Sequence, residues 1–199
     1  MIMETFDVIH TRRSTRAYTQ EPVAEASVAK ILEAGRVAPC GGNTQLVHFI
    51  VLRNKQVLAD LAALVEQVCA QMEVDPKMPI PIQTIISKSK KGGYVFHYGA
   101  PVLIVTASKI SWANAMADCS CAMENMMLMA NELNLGSCWI NQLHWLDQNQ
   151  VIREQMLKLG LASDETVCAS LAIGHPASRD GLPNRSARKI IGNPVTYVD

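Results

Sequence analysis

Pro101-Val102-Leu103-Ile104-Val105-Thr106-Ala107 is the stretch on which the fold turns. Its aliphatic and β-branched residues run without polar alternation, which suits a strand covered on both faces and therefore central in a sheet. Upstream, His48-Phe49-Ile50-Val51-Leu52-Arg53 is a second short β-rich run. The stripe Leu58, Leu61, Leu64, Val65, Val68 and Met72 then repeats at helical spacing, so strand followed by helix is the simplest parse. Downstream, residues 114–134 are rich in Ala and Met and end at Leu135-Gly136, which predicts a long helix closed by a glycine. A helix so nearly apolar all round must be buried, in the core or between subunits. Residues 137–140 and 166–174 read as strands, with a helix over 149–159 between them.

The front of the chain adds two helices. Ile2, Phe6 and Ile9 predict a short amphipathic one that runs into Thr11-Arg12-Arg13-Ser14-Thr15-Arg16. Val28, Ile31, Leu32 and Gly35 predict another over about 25–36, stopped by Pro39 and Gly41-Gly42. Residues 75–93 hold Pro76, Pro79, Pro81, four lysines and Gly92-Gly93, a composition expected to resist one regular element and to form a mobile insertion or lid. The tail from Ala177 is polar and Arg-rich up to 195–198. Strands and helices alternate loosely and no strand–glycine–helix dinucleotide fingerprint occurs, so the order predicts a three-layer α+β domain over residues 1–199 and not a Rossmann domain.

At 199 residues and 49% hydrophobic content the chain can bury one sizeable core. Zero formal charge and a pI near 6.9 provide no global field for nucleic acid or an anionic membrane, so any anion site must be local. Acidic residues near the start and the lack of a long apolar run predict a cytoplasmic protein without a membrane span. Six scattered cysteines predict reduced thiols, and Cys119-x-Cys121 lacks a second pair at zinc spacing, so no metal site is expected.

Arg12, Arg13 and Arg16 with Ser14 and Thr15 between them concentrate the planar donors and hydroxyls that a phosphate takes, although a solvated basic turn has the same composition. Arg185, Arg188 and Lys189 form a second basic group that could meet the first if the chain ends fold together. In Ala38-Pro39-Cys40-Gly41-Gly42-Asn43-Thr44-Gln45 the glycines permit close backbone approach and Asn43 and Gln45 offer amide donors and acceptors, as a heterocycle with imide edges requires. An ordinary helix-terminating turn is the alternative.

Together these stretches, with Gly99 to Val105, Asn125 to Cys138-Trp139-Ile140 and Gly174-His175-Pro176, resemble the FMN-dependent nitroreductase family along nearly the whole chain. The resemblance implies a three-layer α/β/α fold with a mixed, mostly antiparallel sheet, and a homodimer holding FMN in its interface. It places Arg12 and Ser14 on the phosphate with Arg188 and Lys189. Arg13 would add a backbone or phosphate contact, and Arg16 would lie at the flavin pyrimidine edge. Pro39, Cys40, Gly41, Asn43 and Gln45 of the partner chain would line the ring and ribityl chain. Asn141, Gln142 and Leu143 would follow the strand beside flavin N5. Cys40 stands where the family often has serine, which weakens one hydrogen bond.

The activity so implied is two-electron, ping-pong reduction of a nitroaromatic or quinone-like acceptor by NADH or NADPH, with no protein side chain as the catalyst. Enone reduction, dehalogenation, dehydrogenation or a non-catalytic flavin protein are the alternatives on the same scaffold. Trp112, Trp139, Trp145, Tyr94 and Phe96 are candidate pocket walls, and Met123, Met126, Met127 and Met129 are expected to pack an interface.

Overall fold

The computed structural model describes residues 3–186 and 191–198. The helix position Ile2 and the candidate phosphate ligands Arg188 and Lys189 lie outside the described residues. Helices α1 (Thr5–Thr11) and α2 (Glu25–Arg36) lead to β1 (His48–Leu52), α3 (Lys55–Gln71) and α4 (Ile80–Lys91). Strand β2 (Val102–Lys109) and helix α5 (Ala115–Glu132) follow, then β3 (Gly136–Ile140), α6 (Gln142–Trp145), α7 (Gln150–Lys158) and β4 (Glu165–Gly174).

The strands form one sheet of order β1-β2-β4-β3, and each neighbouring pair is antiparallel. The parallel component is a single bridge from Ser14 to Ser137 on the outer edge of β3. As its sequence predicts, β2 is central and covered on both faces: Leu103 and Val105 face one core, Val102 and Ile104 the other. The first core packs α3, α6 and α7 on the sheet and the second packs α2 and α5, which makes three layers. Cys168 is an extra residue where the β2–β4 register shifts, so Val167 faces the first core and Ala169 the second although Cys168 alone stands between them.

Asp147 ties the α6–α7 connection to the sheet. Its buried carboxylate accepts from Thr166 Oγ1 at 2.7 Å, Val167 N at 3.2 Å and Arg153 Nη1 at 3.2 Å. Among the described residues no helix is long and apolar enough to cross a membrane.

Three expectations need correction. Residues 75–93 are not without regular structure: α4 fills most of the segment. Pro81 stands in the first turn, where its missing N–H costs no helical bond, Ile85 packs on the first core and Ile86 is buried. The methionines of α5 pack within the chain itself: Met123, Met126 and Met127 are buried in the second core and Met129 packs against it. Conversely, the apolar face foreseen for α1 points outward, with Phe6 67% and Ile9 52% exposed, while Val8 is the residue that packs inward.

Candidate functional site

Two of the groups singled out in the sequence flank α5. The first is the arginine segment, which lies along the sheet edge because its backbone pairs there: Thr15 N donates to Ser137 O at 2.8 Å, Ala177 N to Ala17 O at 3.0 Å and Thr19 N to His175 O at 2.9 Å. Gly136 makes this approach possible, since a Cβ there would stand 2.6 to 2.7 Å from three atoms of the Thr15 side chain. The segment thus runs beside Cys138 of β3, with Ser14 bridged to Ser137. Arg12, Ser14 and Arg16 all act on the Cys138 thiol, whose pKa burial pushes up while Arg16, a hydrogen bond with Ser14, and Arg12 pull it down. Ser14 and Arg16 are exposed, and Arg12 makes only a loose contact with Glu124 of α5, at 3.9 Å.

Arg13 has a different task. Its guanidinium donates to the carbonyls of His10, Arg12 and Ser186, which brings the C-terminal tail beside the arginine segment. Arg185 is likewise engaged, donating to Asn131 O at 2.6 Å and Asn134 Oδ1 at 2.9 Å at the end of α5. These contacts join the two ends of the chain, while among the described residues Arg16 forms no ion pair and Arg12 only the loose one with Glu124.

The second is the glycine loop, a single 3₁₀ turn over Gly41–Asn43. Gly41 N donates to Asp118 Oδ1 at 2.9 Å, and the other oxygen of this buried carboxylate accepts from Trp112 Nε1 at 2.7 Å. A Cβ on Gly41 would lie 2.5 Å from Asn114 Nδ2, so glycine is what lets the loop sit against the start of α5. Cys40 Sγ accepts from Gln45 N at 3.4 Å and Gln45 Nε2 donates to Asn43 Oδ1 at 3.1 Å, both within the exposed loop. Asn43 and Gln45 adopt left-handed φ of 54° and 52°, which turns their side chains out of the helical path. Beside the loop is a cavity of about 260 Å³ lined by Gly35, Ala38, Pro39, Cys40, Gln45 and Phe49 among others.

Of residues 141–143, Leu143 is fully buried in the first core, and Gln142 is buried with its amide donating to Tyr94 Oη at 2.5 Å. Asn141 is partly exposed and receives the Trp139 indole N–H. The residues that sequence reasoning missed are Asp118 and Gly136. A lone carboxylate in the first turns of an Ala- and Met-rich helix was the available signal for Asp118.

Residues 9–175 match the model of the Nitroreductase family. The chain belongs to this family. A nitroreductase with bound FMN from Bacteroides fragilis superposes with a TM-score of 0.86 at 29% identity, covering 99% of this chain and 100% of the other. A protein of Archaeoglobus fulgidus provisionally named NADH dehydrogenase/NAD(P)H nitroreductase is 27% identical over 177 residues, which is 87% of this chain and 86% of the relative. The nitrobenzene nitroreductase of Ectopseudomonas oleovorans is 27% identical over 198 residues, covering 84% of this chain and 85% of the relative. The arginine segment and the glycine loop both fall within the stretch that matches the nitroreductase family.

Proposed function

We propose that residues 1–199 act as one FMN-binding domain of a homodimeric oxidoreductase, reducing nitroaromatic or quinone-like acceptors with NADH or NADPH in a two-electron ping-pong cycle. The observation that carries this reading is the pairing of the arginine segment along β3, with Ser14 bridged to Ser137 and Thr15 N bonded to Ser137 O at 2.8 Å, which sets Arg12, Ser14 and Arg16 along one sheet edge. Two guanidinium groups and a hydroxyl carried on one short segment are the donor set that a phosphate takes. The glycine loop fits the rest of the group, with an open cleft beside it and amide side chains for an imide edge. Bound FMN would supply the redox chemistry, accepting two electrons from the nicotinamide and passing them to the acceptor. The bound flavin in the Bacteroides fragilis structure and the name of the Ectopseudomonas oleovorans relative support cofactor and acceptor class respectively.

Arg12 and Ser14 would hold the phosphate with Arg188 and Lys189, while Arg13 braces the tail that carries the latter pair. Arg16 would place a fixed positive charge at the pyrimidine edge, stabilising the negative charge that reduction puts there. Pro39, Cys40, Gly41, Asn43 and Gln45 of the partner chain would line the ring. The backbone N–H groups of Asn141, Gln142 and Leu143 stand at the start of α6, where no helical carbonyl precedes them, and are the donors proposed for the reactive edge.

A homodimer is supported by where the half-sites lie. Asp118 holds the loop and Glu124 touches Arg12, and six residues of helix separate them by about 9 Å along α5 and by roughly a third of a turn around it. The two halves of one chain thus face different directions, and each needs a complement from elsewhere. Exposed Phe6, Ile9 and Met116, with Ile191, Val195, Tyr197 and Val198 of the tail, are the apolar surface a second copy would cover.

The test is anaerobic titration of the FMN-saturated protein. NADH or NADPH should bleach the flavin absorbance and nitrobenzene should restore it, with parallel double-reciprocal lines in the steady state. Flavin that binds but is never bleached would leave a binding protein, and failure to bind FMN would end the proposal.

A further inference from the structure

Two buried thiols meet where α5 packs on β4, and the flavin chemistry proposed above uses neither. Ala115 and Cys119 stand at i and i+4 on one face of α5, and with Cys168 they form a small third core against which Val47 and Trp112 pack. Cys168 is the extra residue of the β4 bulge, so the irregular point of the strand is where this face of the helix rests. Cys119 is 0% and Cys168 2% exposed, and both are free thiols, hydrogen-bonded to one another. Asp118, the residue before Cys119, is the one that accepts from Gly41 N and Trp112 Nε1, so a displacement at the thiol pair reaches the glycine loop directly.

The two sulfurs are not equivalent. The hydrogen bond from Cys119 is the largest influence on Cys168 and, with one from the Ser108 backbone, pulls that thiol below its ordinary pKa against burial and the Asp147 carboxylate. The same bond, followed by burial, holds Cys119 far above its ordinary value. Cys168 is therefore the sulfur that ionises first, and a thiolate is the nucleophile in thiol oxidation. Val47 packs on the pair and also lines the cavity of about 260 Å³ beside the glycine loop. One side chain thus separates the thiols from a space that holds a reagent the size of hydrogen peroxide.

We infer that Cys119 and Cys168 are a redox-active pair whose reversible disulfide loosens the glycine loop. The Cys168 thiolate attacks one oxygen of hydrogen peroxide, forming an S–O bond as the O–O bond breaks and hydroxide leaves. The Cys119 sulfur then attacks Cys168, forming the S–S bond and expelling the sulfenic oxygen as hydroxide, while the Cys119 proton passes to water. Two thiols and one peroxide give one disulfide and two waters, so the protein loses the two electrons that the peroxide gains. A disulfide holds its sulfurs about 2.05 Å apart, well inside the separation of two hydrogen-bonded thiols. Bridging therefore draws the first turns of α5 toward β4 and shifts Asp118 away from Gly41 and Trp112. The effect on FMN rests on the function proposed above; the bridge itself does not.

Differential alkylation of the FMN-saturated protein tests this. After brief exposure to hydrogen peroxide, the chain is denatured, blocked with light iodoacetamide, reduced with dithiothreitol and labelled with heavy iodoacetamide. Cys119 and Cys168 should gain the heavy label together and at one rate. In Cys168→Ala, Cys119 should stay light, and in Cys119→Ala the intact mass should gain an oxygen instead of losing two hydrogens; far-UV circular dichroism reports that both variants are folded. Oxidation should raise the Kd for FMN about tenfold, as loss of the Asp118 anchor does, dithiothreitol should reverse it, and Cys168→Ala should not respond. The same labelling without FMN reads the bridge whether or not flavin binds, which separates failure of this inference from failure of the flavin reading. Cys119 and Cys168 still light once the exposed Cys121 is fully oxidised, or heavy label on Cys119 in Cys168→Ala, would overturn the pair. A complete bridge with an unchanged Kd would overturn its control of the loop.

Discussion

Replacing Asp118 by alanine removes the one side chain that anchors the glycine loop to α5. The buried carboxylate accepts from Gly41 N at 2.9 Å and from Trp112 Nε1 at 2.7 Å. A hydrogen bond to a charged group contributes about 1.5–3 kcal/mol. Gly41 and Trp112 are half-buried, so water recovers part of the loss when they are left without an acceptor. The lower end for both bonds gives a destabilisation of about 3 kcal/mol. In a chain of this size that lowers Tm by roughly 6–12 °C. Asp118→Asn keeps the shape but sets an NH2 against one of the two donors, so it should recover little of the loss. Ser120→Ala, which removes a surface bond to Met116 O at 2.7 Å, is the control and should stay within about 0.5 kcal/mol. Urea unfolding of the flavin-free proteins measures the stabilities, and quenching of FMN fluorescence measures the Kd. Because the loop must be ordered to line the flavin, Asp118→Ala should also raise the Kd about tenfold or more, which corresponds to 1.4 kcal/mol of ordering. An unchanged urea midpoint would refute the anchoring argument; a destabilised variant with unchanged Kd would remove the loop from the flavin site.

Other perturbations read other parts of the structure. Arg12→Ala should weaken FMN retention and lower Tm in the presence of FMN, because bound ligand adds stability by mass action, while the flavin-free Tm stays near that of the unmodified protein; equal FMN content in both would count against the assignment. Asp147→Ala strands Arg153 and the Thr166–Val167 corner of β4, and should cost about 3–5 kcal/mol in urea unfolding without changing FMN affinity in the protein that remains folded. For Glu165, burial raises the carboxyl pKa, but the hydrogen bonds from His48 and Ala162 N–H outweigh it and leave the group below its ordinary value of 4.5. A lowered folded-state pKa stabilises fully above the ordinary value and is lost as pH falls through the folded value, so Tm should drop more steeply as pH falls below 4.5 in the unmodified protein than in Glu165→Gln. Parallel Tm profiles would show that another group controls acid unfolding.

The layers of the fold were legible wherever one local signal decided the outcome. An unbroken apolar run such as Val102 to Ala107 has no stable place except between two covering layers, and β2 lies there. The lysine-rich segment misled because proline was read as a breaker, whereas Pro81 occupies the first turn, where the helix tolerates it. The methionines of α5 misled for another reason: an apolar helix must be buried, but its sequence does not say by which neighbour, and α2 with the sheet takes that side. The arginine segment was legible by composition, yet its division of labour was not. Arg13 and Arg185 brace backbone carbonyls, whereas Arg12 makes only the loose contact with Glu124 and Arg16 stays exposed. Asp118 escaped notice because its partners, Gly41 and Trp112, come from two separate loops.

The central claim is that one flavin site is built from the arginine segment of one chain and the glycine loop of another. Co-expressing a chain bearing Arg12→Ala and Arg16→Ala with a differently tagged chain bearing Gly41→Leu, and isolating the mixed species, tests it directly. Each lesion alone should abolish FMN binding, and the mixed dimer should recover one FMN per two chains, since one of its two sites combines both intact halves. Mixed dimers as empty as either parent would mean that the site lies within a single chain, and the shared-site account would fail.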